Sequence, residues 1–131
     1  MIVLDSYAVL AYLQGEPSAQ DVRQAFRRAQ KGTLEIFLSL INLGECIYVI
    51  ERKQNFNEAQ NAIVNIEALP LSVVPADRKL VFEAAHLKAN YPVSYADAFA
   101  AALAMRHRAR LMTGDLEFKA LEKEVAIHWL R

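Results

Sequence analysis

The stretch IVLDSYAVLAYLQ, residues 2–14, reads as a strand, an acid and a helix in immediate succession. Ile2, Val3 and Leu4 form a short apolar run, and Val9, Leu10 and Leu13 then recur at helical spacing. Asp5 stands at the junction. The same unit repeats along the chain. Gly15, Glu16 and Pro17 break the first helix, Ser18 is placed to cap, and residues 19–31 suit a polar surface helix ended by Gly32. EIFLS at 35–39 is the next strand, and Asn42 opens a helix with Leu43, Ile47 and Ile50 at i, i+4 and i+7. A helix at about 57–68 ends before Pro70, LSVV at 71–74 is a third strand stopped by Pro75, and Leu80, Ala84 and Leu87 stripe a helix beginning near Asp77. Beyond Pro92, Ser94 starts an alanine-rich helix through about His107. RLMT at 110–113 and VAIHW at 125–129 are the fourth and fifth strands.

Strands that alternate with helices, and are apolar throughout rather than at every second residue, indicate a parallel sheet covered on both faces. The expected architecture is α/β in three layers, α/β/α, with a central five-stranded, mostly parallel sheet. One domain over residues 1–131 is expected, since 131 residues bury a sufficient core unaided. Apolar residues make up 54% and charged ones 23% of the chain, which excludes a disordered or collagen-like polymer. Met1 leads directly into Ile2–Leu4 and Asp5 without a signal-peptide core, and no stretch has the length of a membrane span, so a cytoplasmic location is expected. The lone Cys46 can form no internal disulfide and belongs to no zinc-ligand pattern; it reads as a small buried hydrophobe.

Lys and Arg number 15, as do Asp and Glu, so a strongly basic nucleic-acid binder is excluded. The balance changes if several acids gather in one place, because the remaining surface is then net basic. Arg23, Arg27, Arg28 and Lys31 form one local cluster, which also suits a solvated helix face, and Arg106, His107, Arg108 and Arg110 form another.

Four acids carry the chemistry. In open α/β sheets, ligands bind in the crevice beyond the carboxyl ends of the strands. Asp5 follows the first strand and Asp115, in LMTGDLEF, follows the fourth; each can equally cap the helix after it. Glu45 lies three residues after Asn42, and Asp97 three after Ser94, so each fits the third position of a capping box. All four capping roles put an acid at a helix start, and in this topology those starts share one edge. Converging carboxylates repel unless a cation sits among them. With no His or Cys in the set, that cation is a hard one, Mg²⁺ or Mn²⁺, whose usual task with carboxylate ligands is phosphoryl chemistry.

The segments IVLDS, NLGE, SYADAFAAALA and LMTGDLEF resemble the four acidic motifs of PIN domains, in order and over nearly the whole chain. Its size resembles the VapC toxins of prokaryotic toxin–antitoxin pairs. The resemblance implies an Mg²⁺- or Mn²⁺-dependent endoribonuclease acting on transfer or ribosomal RNA, a homodimer, and neutralisation by a VapB-like antitoxin. Carried over, Asp5, Glu45, Asp97 and Asp115 match the acidic quartet, and Ser6 and Thr113 match hydroxyl positions near the metal. Glu117 departs from the pattern, because many relatives have an aspartate there; an outer role is expected of it. The expected mechanism has Asp5, Asp97 and Asp115 holding the metal, directly or through water. Glu45 then orients or deprotonates the attacking water, Ser6 and Thr113 hold the acids in place, and the product ends are 5′-phosphate and 3′-hydroxyl.

Other readings fit less well. A response-regulator-like receiver needs a lysine after its last strand, where this chain has Trp129, Leu130 and Arg131, and a haloacid-dehalogenase-like phosphatase wants an aspartate where Tyr7 stands. A catalytically silent PIN-like module that only binds RNA or protein is opposed by the presence of all four acids. His86, His107 and His128 have no spacing that pairs them as ligands. Tyr95 beside Asp97 suits core packing, with base stacking as the functional alternative. Tyr48, Val49, Val81 and Phe82 lie outside the main helical stripes and suit either extra core contacts or an interface.

Overall fold

The computed structural model describes residues 1–131. β1 (Ile2–Leu4) runs into α1 (Ser6–Leu13); a 3-10 turn (Pro17–Ala19) and α2 (Gln20–Gln30) lead to β2 (Ile36–Ser39). α3 (Leu40–Lys53) and α4 (Phe56–Glu67) precede β3 (Ser72–Val74), α5 (Arg78–Asn90) and α6 (Tyr95–His107) precede β4 (Arg110–Thr113), and a 3-10 segment (Leu116–Leu121) precedes β5 (Ile127–Trp129). The five strands form one sheet in the order β3-β2-β1-β4-β5, and every pairing is parallel. No helix is long and apolar enough to cross a membrane.

Both faces of the sheet are covered, which explains the unalternating strands. Val3 and Leu111, aligned across β1 and β4, point to a core shared with α5, α6 and the 3-10 segment, through Leu80, Phe99, Leu103, Phe118 and Leu121. Ile2, Leu4, Leu38 and Met112 point the other way, into a core built with α1 to α4 through Val9, Val22, Phe26, Cys46 and Ile66. α6 is buried on nearly all sides. Asp97 and every residue from Ala98 to Ala104 are inside, and the small alanines let the helix lie close to β1, β2 and β4.

Several boundaries differ from the sequence reading. α3 starts at Leu40, not Asn42: Ser39, the last residue of β2, accepts from Ile41 N and caps the helix directly. Glu45 therefore lies past the first turn and has no capping role. Ser18 does not cap α2, whose preceding turn has no side-chain cap. β5 begins at Ile127 rather than Val125, because Val125 N is engaged with Leu121 O in the preceding turn.

The connection from β1 leads outward to β2 and β3, and the chain then returns to lay β4 on the other flank of β1. The reversal lies between β1 and β4, where open α/β sheets form their binding crevice. Leu4 pairs with Met112; extending that register by one residue sets Asp5 opposite Thr113, on the α6 side of the sheet.

Candidate active site

Asp5 is 1% exposed and spends both oxygens on the protein. Oδ1 accepts from Ala8 N, capping α1, and Oδ2 accepts a short hydrogen bond from Thr113 Oγ1. The Thr113 hydroxyl also accepts from Asp115 N at 3.0 Å, so one buried side chain ties the end of β1 to the loop after β4. Asp115 in turn accepts from Glu117 N at 3.0 Å, which tightens the 3-10 turn and brings Glu117 back over the cleft.

Asp97 enters from α6. Ser94 Oγ accepts from its backbone N–H at 3.1 Å, so the side chain is left free of the capping task. It is 5% exposed, and its Oδ2 is buried with no hydrogen-bond partner. A buried carboxylate oxygen without a donor is costly unless a cation satisfies it. Oxygens of Asp97, Asp115 and Glu117 lie within 4.8 Å of one another. This group contains the residue to which the sequence assigned an outer role, Glu117, and it does not contain Asp5. Glu45 is half-buried on α3; Tyr48 Oη donates to its Oε2 at a long 3.5 Å.

Asn42 was read as a helix start and is instead a clamp. It is fully buried; its Nδ2 donates to Ser6 Oγ at 3.2 Å and to Ala96 O at 3.1 Å, while Ser6 Oγ donates to Asn42 O at 3.2 Å. Ala96 O can only accept, which fixes the amide orientation. The residue thus joins the starts of α1, α3 and α6, the helices that carry or follow Asp5, Glu45 and Asp97. Its type, buried three residues before Glu45, was visible in the sequence; its partners were not.

The electrostatics follow from this crowding. Burial pushes the Asp5 carboxyl up to about 7, with Asp97 and Asp115 adding to the rise and the bonds from Thr113 and Ala8 opposing it. Burial likewise raises Asp97 to about 7, followed by the charges of Asp115, Glu117 and Glu45, with Ser94 opposing. Cys46, beneath the site against Ser6 O, is pushed up to about 12 by burial and by Glu45 and Asp5, so it is an unreactive thiol. A hard divalent cation fits this all-oxygen, electron-rich set.

The family model described as PIN domain matches residues 2–124. The chain belongs to the PIN domain family. Solved structures share its fold from end to end. DNA-bound VapBC from Salmonella typhimurium matches at TM-score 0.76 and 20% identity, covering 97% of this chain and 96% of that one. VapBC2 from Rickettsia felis, bound to a promoter DNA fragment, matches at TM-score 0.75 and 17% identity over 100% of both chains. VapC20 from Mycobacterium tuberculosis, a toxin that cleaves the sarcin–ricin loop, matches at TM-score 0.69 and 17% identity, covering 92% of this chain and 94% of that one. Among curated protein sequences no match is found. Within this PIN domain no histidine joins the cluster of Asp97, Asp115 and Glu117: His128 pairs with Asp21 at 2.7 Å and His107 stacks on Phe37. Tyr95 packs edge-on against Phe99.

Proposed function

We propose that this PIN domain is a metal-dependent endoribonuclease of the VapC toxin type, which hydrolyses phosphodiester bonds of transfer or ribosomal RNA. The observation that carries the reading is the meeting of Asp97, Asp115 and Glu117 around an unpartnered buried oxygen, beside Asp5. Asp97, Asp115 and Glu117, with Asp5 beside them, would hold an Mg²⁺ or Mn²⁺ ion. Such an ion would supply a stronger water nucleophile at neutral pH and neutralise charge on the phosphate. Glu45 orients the attacking water and takes its proton. Thr113 holds Asp5, and Ser6 and Asn42 hold the helix starts, so that the carboxylates need no reorganisation when RNA arrives. Attack by water with the 3′ oxygen leaving gives 5′-phosphate and 3′-hydroxyl ends.

The toxin reading brings partners and a place. The similar structures from Salmonella typhimurium and Rickettsia felis are VapBC assemblies, which supports a VapB-like antitoxin for this chain, acting in the cytoplasm. Between α5 and α6 lies a groove of about 640 Å³, lined by Phe82, Leu87, Ala102 and Met105 with Arg78 and His86 at its sides. Phe82 and Met105 are exposed there, and a homodimer is the occupant that fits the toxin reading; light scattering gives the oligomeric state directly.

The test is cleavage of total cellular RNA by the purified protein with Mg²⁺ or Mn²⁺, with EDTA, and with an Asp97→Asn variant, followed by mapping of the new ends. Metal-dependent cuts with 5′-phosphates, absent in the variant, support the reading. Equal cutting in EDTA sinks the carboxylate mechanism, and no cutting of any RNA favours a silent binding module.

A further inference from the structure

Tyr7 lies two residues beyond Asp5 and is 43% exposed. Its ring rests on Gly114: a Cβ built there falls 2.3 Å from Tyr7 Cε1, 2.6 Å from Cζ and 2.9 Å from Oη. Gly114 is not among the glycines with positive φ, so a side chain at this position would disturb the ring rather than the turn. Gly114 separates Thr113, which holds Asp5, from Asp115. The tyrosine is therefore seated on the loop between two of the site's anchor points, with part of its ring in solvent.

Of the other exposed rings, Phe56 opens α4, beyond the end of α3 that points away from the site, and Tyr48, Phe82 and Tyr95 are already engaged. Arg52 lies over Tyr48 and Arg78 over Phe82, and Tyr95 meets Phe99 edge-on. Tyr7 has no aromatic or guanidinium partner of this kind. A phosphodiester presented to the carboxylates carries a base on either side, and proteins hold unpaired bases by stacking them on aromatic rings. A ring already fixed by packing loses little freedom when a base settles on it.

We infer that Tyr7 is a substrate-positioning residue, on which a base next to the scissile phosphate stacks, and that Gly114 is retained to seat it. The inference rests on the ribonuclease reading above. It is tested in a Glu45→Gln background with Mg²⁺ present, so that RNA is bound and not cut. The probes are a fluorescein-labelled single-stranded RNA spanning the mapped cut and the same strand with abasic nucleotides flanking that cut. Stacking on one aromatic ring strengthens binding by about 5- to 150-fold. Tyr7→Leu is expected to weaken the intact strand by that order and leave the abasic strand within about 2-fold, whereas Tyr7→Phe keeps both, stacking being insensitive to the hydroxyl. Gly114→Ala, by displacing the ring, is expected to mimic Tyr7→Leu and to add nothing in combination with it. Equal weakening of intact and abasic strands, or no weakening, overturns the inference while the mapped cleavage leaves the ribonuclease reading standing. A wild-type protein that cuts no RNA overturns both.

Discussion

Replacing Asp97 by Asn is expected to stabilise the metal-free protein while abolishing its activity. The folded state holds the Asp97 carboxyl at about 7, against 3.8 for the ordinary group. The native chain therefore binds this proton more tightly than the unfolded chain. Its contribution to stability is full below about pH 4 and is lost as pH rises to about 7, with a slope approaching 1.4 kcal/mol per pH unit. The whole shift corresponds to about 4 kcal/mol. Water at the open side of the cleft screens part of it, which leaves about 2 kcal/mol as the expected gain of the neutral variant at pH 8. For a domain of this size that is a rise of about 6–8 °C in Tm. The assay is thermal and urea unfolding of wild type and Asp97→Asn in EDTA from pH 4.5 to pH 8, conditions chosen to span the titration. The curves should converge at the acid end, draw apart progressively from about pH 4.5 and reach their full separation by about pH 7. The variant keeps some pH dependence of its own, because Asp5, also held at about 7, remains in it. Mg²⁺ or Mn²⁺ should close the gap above neutral pH by stabilising the wild type, by about 2.7 kcal/mol at a hundred times its Kd. Parallel curves, or a variant less stable than wild type at pH 8 in EDTA, would refute the account of a strained carboxylate cluster.

Other substitutions probe separate parts of the site. Glu117→Gln is expected to weaken Mn²⁺ binding by about 10-fold or more, measured by calorimetry, because its oxygen lies with those of Asp97 and Asp115; unchanged affinity would leave Glu117 with no part in holding the metal. Thr113→Val removes the donor to Asp5 and the acceptor for Asp115 N, and should cost about 1–3 kcal/mol in urea unfolding together with metal affinity. Asn42→Leu breaks the joint between Ser6 and Ala96 and should cost a similar amount, with kcat falling more than RNA affinity. Phe99→Ala, in the core beneath α6, should cost about 3–5 kcal/mol in chemical unfolding and, unlike the others, leave the metal affinity of the surviving folded fraction unchanged.

The strand–acid–helix unit at residues 2–14 was enough to place Asp5, and the same local logic placed Asp115 and Asp97, because capping chemistry and strand ends are properties of neighbouring residues. Ser39 and Asn42 show where that logic stops. Both residue types cap helices, and only the packed structure reveals that Ser39 does so while Asn42 is turned inward to reach Ser6 and Ala96. An outer role was expected of Glu117 because the family pattern has aspartate there; the tight 3-10 turn after Asp115 brings one of its oxygens within 4.8 Å of those of Asp97 and Asp115, a proximity the sequence did not reveal. Tyr7 and Gly114 are far apart in sequence, and nothing local marks their contact. What the sequence left hidden is therefore long-range: which of two polar residues turns inward, and which ring lies on which loop.

The hydrogen bond from Thr113 to Asp5 spans 108 residues of chain, and β1, the first strand made, lies between β2 and the late strand β4. One flank of β1 therefore stays open until most of the domain has been made, since a domain is made from its N-terminus and distant contacts form last. No incomplete chain lacking β4 can hold Asp5 or present Asp115. The order of the strands thus makes the gathering of Asp5, Asp97 and Asp115 a late and all-or-none event of folding, because the acids meet only once α6 and β4 are laid against β1.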